Sequence, residues 1–298
     1  MPLSGQFRYI IFPAEARQRP KVVNLGASQE ETTSHAEPVC DLSEENASFL
    51  NWLFSQAGLN ARLYRAEMLQ RRLPACLRAL RVRSIAQARR LLEDRPALAA
   101  TALGAMLVGV TWFFRDVSVF DLLRDCLIPT IAGTRRSLHA WSAGCSDGAE
   151  LYSLALLLAE MDMLDNSYLL GTDCRSDALE HARSGYFDFA AVKQVPAPLL
   201  TRYFRPQGRG YQVVAHIRAA VHWRTGDVLM TPEPGVWDLI LCRNTAMYIR
   251  AEATKLLWEQ FEKRLRPGGM LVLGKAERPV GAKRLSPVGP CVYRRNRG

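Results

Sequence analysis

The chain has 298 residues, 48% of them apolar and 23% charged, with a formal net charge of +10 at pH 7. That length allows one large domain or two small ones, and the composition is that of an ordinary globular protein. The charge favours an acidic partner without distinguishing nucleic acid, a membrane surface or an acidic protein. The seven scattered cysteines form no Cys-x-x-Cys pair, which argues against a disulfide framework or a structural zinc site and suits a reducing compartment.

The first 42 residues are rich in Pro, Ser, Thr and Glu, and we interpret them as a flexible N-terminal extension. No apolar run of signal-peptide length occurs at the start, so we expect a cytoplasmic protein. The uncharged stretch from Leu98 to Phe114 approaches the length of a membrane span. Its Ala, Gly and Thr content favours a packed helix that runs into a buried loop, and we expect no membrane insertion.

Residues 43–116 are predicted to be helical. Ser43 is placed to cap a first helix, which Gly58 interrupts, and a second helix is expected from about Ala61 to Leu73, ended or kinked by Pro74. Two further helical stretches are expected near 76–81 and 84–94. The segment from Ala61 to Arg95 contains ten arginines and only three acidic residues. These arginines form either a solvated helix surface or a docking surface for acidic helices, for which charge reversal at Arg71 and Arg72 is a test.

From about residue 117 the pattern changes to alternating strands and helices, which is typical of a parallel α/β sheet. The predicted strands are Leu138–Trp141, Tyr168–Thr172, Val221–Trp223, Trp237–Cys242 and Met270–Leu273. The predicted helices are Glu150–Met163, 176–183 and Glu252–Leu265. Because ligands bind beyond the carboxyl ends of parallel strands, the residues just after each strand are the candidates for a site.

Small residues from Ser142 to Gly148 follow the first predicted strand, and they form either a tight turn or a loop against which a nucleotide-like ligand lies. The absence of a Gly-Lys-Ser/Thr ending argues against a phosphate loop. Asp173 follows the next strand, where a carboxylate accepts hydrogen bonds from ribose hydroxyls or caps the helix, a role that Asp177 could also fill.

Two more polar residues follow later strands. Asp227, after Gly226, is either a turn residue or a partner for an adenine amino group. Asn244 comes after a fully apolar strand, where an amide is expected at the mouth of a pocket. Together these loops indicate an adenosine ligand without a phosphate cradle, which S-adenosylmethionine fits better than NAD or ATP.

Seven motifs occur in the order found in the CheR chemotaxis receptor methyltransferases, and residues 45–295 resemble that family. The motifs are Thr111–Asp116, Trp141–Ser146 with Gly148 and Tyr152-Ser153, Thr172-Asp173, Ala182–Tyr186, Tyr203-Phe204, Cys242–Asn244 with Tyr248, and Arg266–Gly269 with Leu273-Gly274 and Glu277.

Beside the flexible extension over 1–42 inferred from composition, the resemblance implies a helical domain over 43–116 and, over 117–298, a Rossmann-like methyltransferase domain with a small antiparallel insert near 203–223. It implies S-adenosylmethionine as cofactor, S-adenosylhomocysteine as product, and no metal. The implied cofactor contacts are Thr111, Arg115, Glu150, Asp173, Asp227, Val228, Asn244 and Thr245. Arg115 and Tyr248 are the implied substrate-positioning residues; from the residues alone, a helix-end ion pair with Asp116 and core packing remain open for them.

The expected activity is transfer of a methyl group to glutamate side chains on the cytoplasmic helices of methyl-accepting chemotaxis receptors. Swimming chemotaxis and a type IV pilus system are both open as the pathway. Two alternatives differ in class. One is a catalytically silent binding module, motivated by Ala149 and by Thr245–Met247, which depart from the family pattern. The other is a nucleic-acid methyltransferase, disfavoured because no Asn-Pro-Pro-Tyr-like motif follows the central strand.

Overall fold

The computed structural model describes residues 42–107, 109–129, 133, 137–230 and 233–297. The predicted N-terminal extension lies outside the described residues, apart from Leu42. The helices are α1 (Glu44–Ser55), α2 (Ala66–Ala79), α3 (Ile85–Asp94), α4 (Ala99–Met106), α5 (Val117–Leu122), α6 (Ala149–Glu160), α7 (Ser176–Ser184), α8 (Phe189–Val192), α9 (Ala197–Tyr203), α10 (Ala215–Ala219) and α11 (Ala251–Arg264). The strands are β1 (His139–Ala143), β2 (Tyr168–Asp173), β3 (Tyr186–Asp188), β4 (Phe204–Gln207), β5 (Gly210–Val213), β6 (Val221–Thr225), β7 (Trp237–Cys242), β8 (Leu265–Leu273), β9 (Leu285–Gly289) and β10 (Val292–Arg295).

The helices that precede the sheet pack around a hydrophobic core of their own, which includes Phe49, Phe54 and Leu69. The Ser43 hydroxyl accepts a hydrogen bond from the Asn46 amide (3.3 Å), so the predicted cap of α1 is confirmed. Helix α2 differs from the prediction, because it begins at Ala66 and continues through Pro74 to Ala79. Leu73 and Cys76 on either side of the proline are buried in this core, and their packing holds the helix together.

Described strands of the large sheet lie in the order β6-β2-β1-β7-β8-β10-β9. The first five are parallel, whereas β10 is antiparallel to both β8 and β9. The chain moves outward from β1 in one direction and from β7 in the other, which makes the β1/β7 boundary the switch point of a doubly wound sheet. The predicted Rossmann-like α/β class is confirmed, and the C-terminal β9-β10 hairpin was not predicted.

A second, antiparallel sheet in the order β3-β5-β4 carries the predicted insert. Strands β4 and β5 lie within the expected range of 203–223, whereas β3 lies before it. Strand β6 (Val221–Thr225), which that range overlapped, instead pairs in parallel with β2 in the large sheet. The difference arises because Tyr186–Asp188 is too short for alternation of apolar and polar residues to reveal it as a strand.

Two hydrophobic cores cover the two faces of the large sheet. Helix α6 packs in one, and Trp258 and Phe261 of α11 pack in the other. Strand β7 is buried along its whole length, as its apolar sequence predicted. No helix within the described ranges is long and apolar enough to cross a membrane. The stretch after Leu98 forms the short helix α4 and then the segment that leads to Thr111.

Candidate active site

A cavity of about 360 Å³ lies beyond the carboxyl ends of the parallel strands, at the switch point between β1 and β7. Its volume is within the range of small-molecule pockets, roughly 300–1,000 Å³. All the side chains predicted for the site line this one cavity: Thr111, Arg115, Glu150, Asp173, Asp227, Val228, Asn244, Thr245 and Tyr248. The fold therefore brings together residues from five separate parts of the sequence.

The loop after β1 forms one wall of the cavity. Gly144 has a positive φ of 72°, and a side chain there would begin 2.8 Å from the Thr245 hydroxyl, so only glycine leaves this passage open. The amides of Gly144 and Cys145 donate to the Thr172 carbonyl at 2.8 and 2.9 Å. These bonds fix the loop against the end of β2.

Asp173 at the end of β2 is buried and faces the cavity. Its carboxylate accepts a hydrogen bond from the Ser146 amide (2.8 Å) and forms an ion pair with Arg175 (3.0 Å). Arg175 also lines the cavity, although it was not among the predicted site residues. Its position two residues after Asp173 is the sequence signal that could have identified it.

Asp227 follows β6 and accepts a hydrogen bond from the Leu229 amide (2.9 Å), which is the turn contact weighed in the sequence. Asp227 also lines the cavity, so the same residue makes the turn contact and can contact a ligand. Burial raises the pKa of the Asp227 carboxyl, and the negative charge of Asp173 raises it further.

The loop after β7 is held by a buried carboxylate. Glu277 accepts hydrogen bonds from the amides of Asn244 (2.9 Å), Ala246 (2.8 Å) and Gly274 (2.7 Å). Asn244 has a left-handed φ of 59°, which the bond to its amide stabilises. Within the described part of the chain, the buried Oδ1 of Asn244 has no hydrogen-bond partner, so the cavity presents an acceptor to a ligand's donor group.

Arg243 connects the loop after β7 to two carboxylates on other elements. Its guanidinium, only 2% exposed, donates to Glu150 Oε2 (3.1 Å) and to Asp116 Oδ2 (2.6 Å). The other oxygen of Glu150 accepts from the Ser142 hydroxyl (3.0 Å). Asp116, which the sequence paired with Arg115, thus forms its ion pairs with Arg243 and with Lys275 (2.6 Å).

Arg115 and Tyr248 both line the cavity, where they were expected as substrate-positioning residues. The Arg115 guanidinium lies 4.7 Å from the centre of the Trp112 ring and donates to the Val110 carbonyl (2.9 Å). The ring contact and the hydrogen bond orient this guanidinium, and its remaining N–H groups can donate to a carboxylate.

The N-terminal helices also contribute to the cavity, through Tyr64 and Leu107. Tyr64 forms a β-bridge with Ile249, and burial raises its pKa well above the usual value. No local pattern in the sequence marks Tyr64 as a site residue, because its place depends on the pairing of the segment before α2 with the loop after β7.

The geometry defines a class of protein. A doubly wound sheet, an open glycine loop without a phosphate cradle, and acids after β2 and β6 fit an adenosine-containing ligand, and the acceptor on Asn244 fits a ligand with donor groups. S-adenosylmethionine-dependent methyltransferases bind such a ligand. No group of His, Cys, Asp and Glu that could hold a metal ion was found among the residues with described positions.

Comparison with known proteins identifies the family. Residues 109–289 match the family described as "CheR methyltransferase, SAM binding domain". The chain is 31% identical over 250 residues to "Chemotaxis protein methyltransferase 2" of Pseudomonas aeruginosa, covering 81% of this chain and 89% of that protein. It is 29% identical over 251 residues to a "Chemotaxis protein methyltransferase" of Vibrio parahaemolyticus, covering 80% and 90%. The chain belongs to the CheR methyltransferase family and is an S-adenosylmethionine-dependent methyltransferase.

Proposed function

We propose that this enzyme methylates glutamate side chains of methyl-accepting chemotaxis receptors and forms glutamate methyl esters. The observation that carries the proposal is the convergence of the predicted cofactor contacts with Arg115 and Tyr248 in one cavity of a CheR-family chain. Its relatives in Pseudomonas aeruginosa and Vibrio parahaemolyticus are named chemotaxis protein methyltransferases. Receptors of swimming chemotaxis and of a type IV pilus system are both candidate substrates.

We assign the cofactor to the cavity residues by position. Asp173 would accept from the ribose hydroxyls, Asp227 from the adenine amino group, and Asn244 from a donor group of the ligand. Glu150, oriented by Ser142 and Arg243, would carry negative charge toward the amino group of the methionine part. When bound, S-adenosylmethionine supplies an activated methyl group on a sulfonium. Thr111, Val228 and Thr245 would complete the contacts through their backbone and small side chains.

On the substrate side, the acceptor needs little chemical activation. A glutamate carboxylate is ionised at neutral pH and needs no general base, because its ordinary pKa is about 4.3. The protein's contribution is to align the carboxylate and exclude water that would solvate it. We assign this role to Arg115 and Tyr248. A tight ion pair with Arg115 would stabilise the ground state, so a guanidinium shared with Trp112 and Val110 is suited to the task.

The basic surface of α2 is the proposed contact for acidic receptor helices. Arg71 and Arg78 are exposed on this helix. Arg72 differs, because its Nε and Nη2 donate to the Ala105 carbonyl (3.0 and 2.6 Å) at the end of α4. Charge reversal at Arg72 would therefore disturb the helical core as well as the surface, and Arg71 is the cleaner site for a test.

The first experiment is transfer of radiolabelled methyl groups from S-adenosylmethionine to membranes that contain receptors, followed by mild alkali. We expect label on the receptor band that alkali releases, since methyl esters hydrolyse readily. Cofactor binding without label on any receptor would favour a silent binding module. Label on nucleic acid would favour the other alternative class.

Variants then test the residue assignments. We expect Arg115→Lys and Tyr248→Phe to lower kcat at saturating cofactor, and full turnover in both would remove these two residues from the mechanism. Arg71→Glu should raise the receptor KM about fivefold or more with little change in cofactor affinity, because rim charges act mainly on encounter. Lys283→Glu, an exposed lysine before β9, is the charge-matched control and should leave the receptor KM unchanged.

The proposed location is the cytoplasm, where the methylated receptor helices are found. Cys76, Cys145, Cys174, Cys242 and Cys291 are free thiols, which fits a reducing compartment.

A further inference from the structure

The carboxylate of Asp173 already has all its hydrogen-bonding positions filled. A carboxylate has two oxygens with about four lone-pair positions. Oδ1 accepts from the Arg175 amide (3.0 Å) and from Arg175 Nε (3.0 Å). Oδ2 accepts from the Ser146 amide (2.8 Å) and from Arg175 Nη2 (3.3 Å). The Cys174 thiol, 3.9 Å from Oδ1, adds a weak S–H donor. A ribose diol that binds Asp173 through two hydrogen bonds must therefore displace two of the four N–H donors.

Of the four N–H donors, only Nε and Nη2 on the Arg175 side chain can move away without a change in the backbone. The Ser146 amide is fixed by the glycine loop, which is itself bonded to Thr172, and the Arg175 amide lies at the start of α7. The Arg175 guanidinium, by contrast, is carried on a long side chain with several rotatable bonds. Displacement of Arg175 is thus the way for this carboxylate to accept from a ligand without a change in the backbone.

Arg175 also contacts the segment that connects the N-terminal helices to the sheet. Its Nη1 donates to the Leu107 carbonyl (3.3 Å), and a Cβ on Gly109 would clash with Nη2. Leu107, Gly109 and Thr111 all line the cavity. The guanidinium therefore ties this segment to Asp173, and a movement of Arg175 would break its hydrogen bond to the segment.

We propose that Arg175 is an intramolecular competitor for the ribose position, which holds Asp173 in the ligand-free enzyme and leaves it when the cofactor binds. The inference rests on the proposed role of Asp173 as the ribose acceptor. Arg175 thereby sets the affinity for the cofactor. If the guanidinium occupies Asp173 about nine-tenths of the time, the apparent affinity is about tenfold below the intrinsic one.

The test is calorimetric titration of the full chain and of Arg175→Ala with S-adenosylhomocysteine and with its 2′,3′-dideoxy analogue. We expect Arg175→Ala to bind S-adenosylhomocysteine about tenfold more tightly than the unmodified chain. The dideoxy analogue, which does not need Asp173, should bind both chains equally. Arg202→Ala, which removes an arginine paired with Glu160 on the surface, is the control and should change neither affinity.

Equal or weaker binding of S-adenosylhomocysteine by Arg175→Ala would overturn the inference and leave the proposed function intact. A gain of equal size for the dideoxy analogue would also overturn it, because the effect would not depend on the ribose hydroxyls. If the unmodified chain bound no S-adenosylhomocysteine at all, the proposed function and this inference would both fail.

Arg175→Lys serves if the alanine variant does not fold. A lysine keeps the charge but cannot form the forked contact with a carboxylate. We expect a smaller gain in affinity for S-adenosylhomocysteine, with the same sign, and a loss of affinity would contradict the proposal.

Discussion

The acidic side chains at the cavity are held in different ways, and the difference sets what each can do. Asp173 and Glu150 each lie against an arginine, Arg175 and Arg243 respectively, which compensates their buried charge. Asp227 accepts from a backbone amide, and burial is the main cause of its raised pKa. Because burial disfavours the charged form of Asp227, a donor group of a ligand can stabilise that form.

Replacement of Asp227 by Asn should increase stability while it weakens cofactor binding. Because the folded-state pKa of Asp227 lies above the unfolded value of about 3.9, the folded state binds more protons, and stability falls as the pH rises through that window. At pH 7 the destabilisation by the buried charge is fully present, so Asp227→Asn should raise the melting temperature there.

The gain should shrink as the pH is lowered and vanish below about 3.9, where the carboxyl is protonated in both states. Thermal melts of both chains over this pH range are the measurement, with S-adenosylhomocysteine titrations beside them. A gain independent of pH would show that buried charge is not its source.

Among the elements, the loop after β7 depends most on a single distant side chain. Glu277 follows β8 in the sequence. Its carboxylate accepts hydrogen bonds from three backbone amides, and two of these amides belong to the loop that carries Asn244. The resemblance pointed to Glu277 as a motif residue without giving it a role. The structure shows that it positions the loop and does not line the cavity.

Glu277→Gln should therefore weaken cofactor binding without direct contact with the ligand. The amide nitrogen of Gln would face a backbone donor, and one lost bond to a buried group costs about 1–3 kcal/mol. We expect the Kd for S-adenosylhomocysteine to rise about tenfold, which corresponds to about 1.4 kcal/mol. Glu252→Gln, an exposed residue on α11, is the matched control. An unchanged Kd with a lowered melting temperature would restrict Glu277 to a structural role.

At the scale of the whole molecule, the N-terminal helices are joined to the sheet at the cavity itself. The Arg65 amide donates to the Tyr248 carbonyl (3.0 Å), and the Arg250 amide donates to the Leu63 carbonyl (2.9 Å). Arg65 Nε adds a bond to the Ile249 carbonyl (3.0 Å). These contacts place Tyr64 in the cavity wall, so we expect cofactor binding and the position of the basic helices to be coupled.

Hydrogen exchange should reveal this coupling. We expect S-adenosylhomocysteine to slow amide exchange at residues 61–66 and 246–252 together, because both segments line the cavity and share backbone hydrogen bonds. Residues 285–289, on the edge strand β9, should be unaffected. Protection confined to 246–252 would mean that the N-terminal helices do not sense the cofactor.

The sequence by itself determined the class of fold, the five parallel strands of the large sheet and several of the residues that line the cavity. Strand β7 was predicted to the residue, because the apolar run Leu239–Cys242 and the glycine and proline that precede the strand are local signals. Asp173, Asp227 and Asn244 were found for the same reason, since each directly follows a strand. The continuation of α2 through Pro74, the β9-β10 hairpin and the start of the small sheet were missed.

Only the tertiary structure decided how the charges are paired and which distant residues complete the site. Arg243 reaches Glu150, 93 positions away, while Arg175 turns back onto Asp173 two residues earlier. The sequence contains the same charged residues but does not show which of them form ion pairs. Ion pairing and the entry of Tyr64 into the cavity depend on the packing of separate elements and on burial, which local periodicity does not encode.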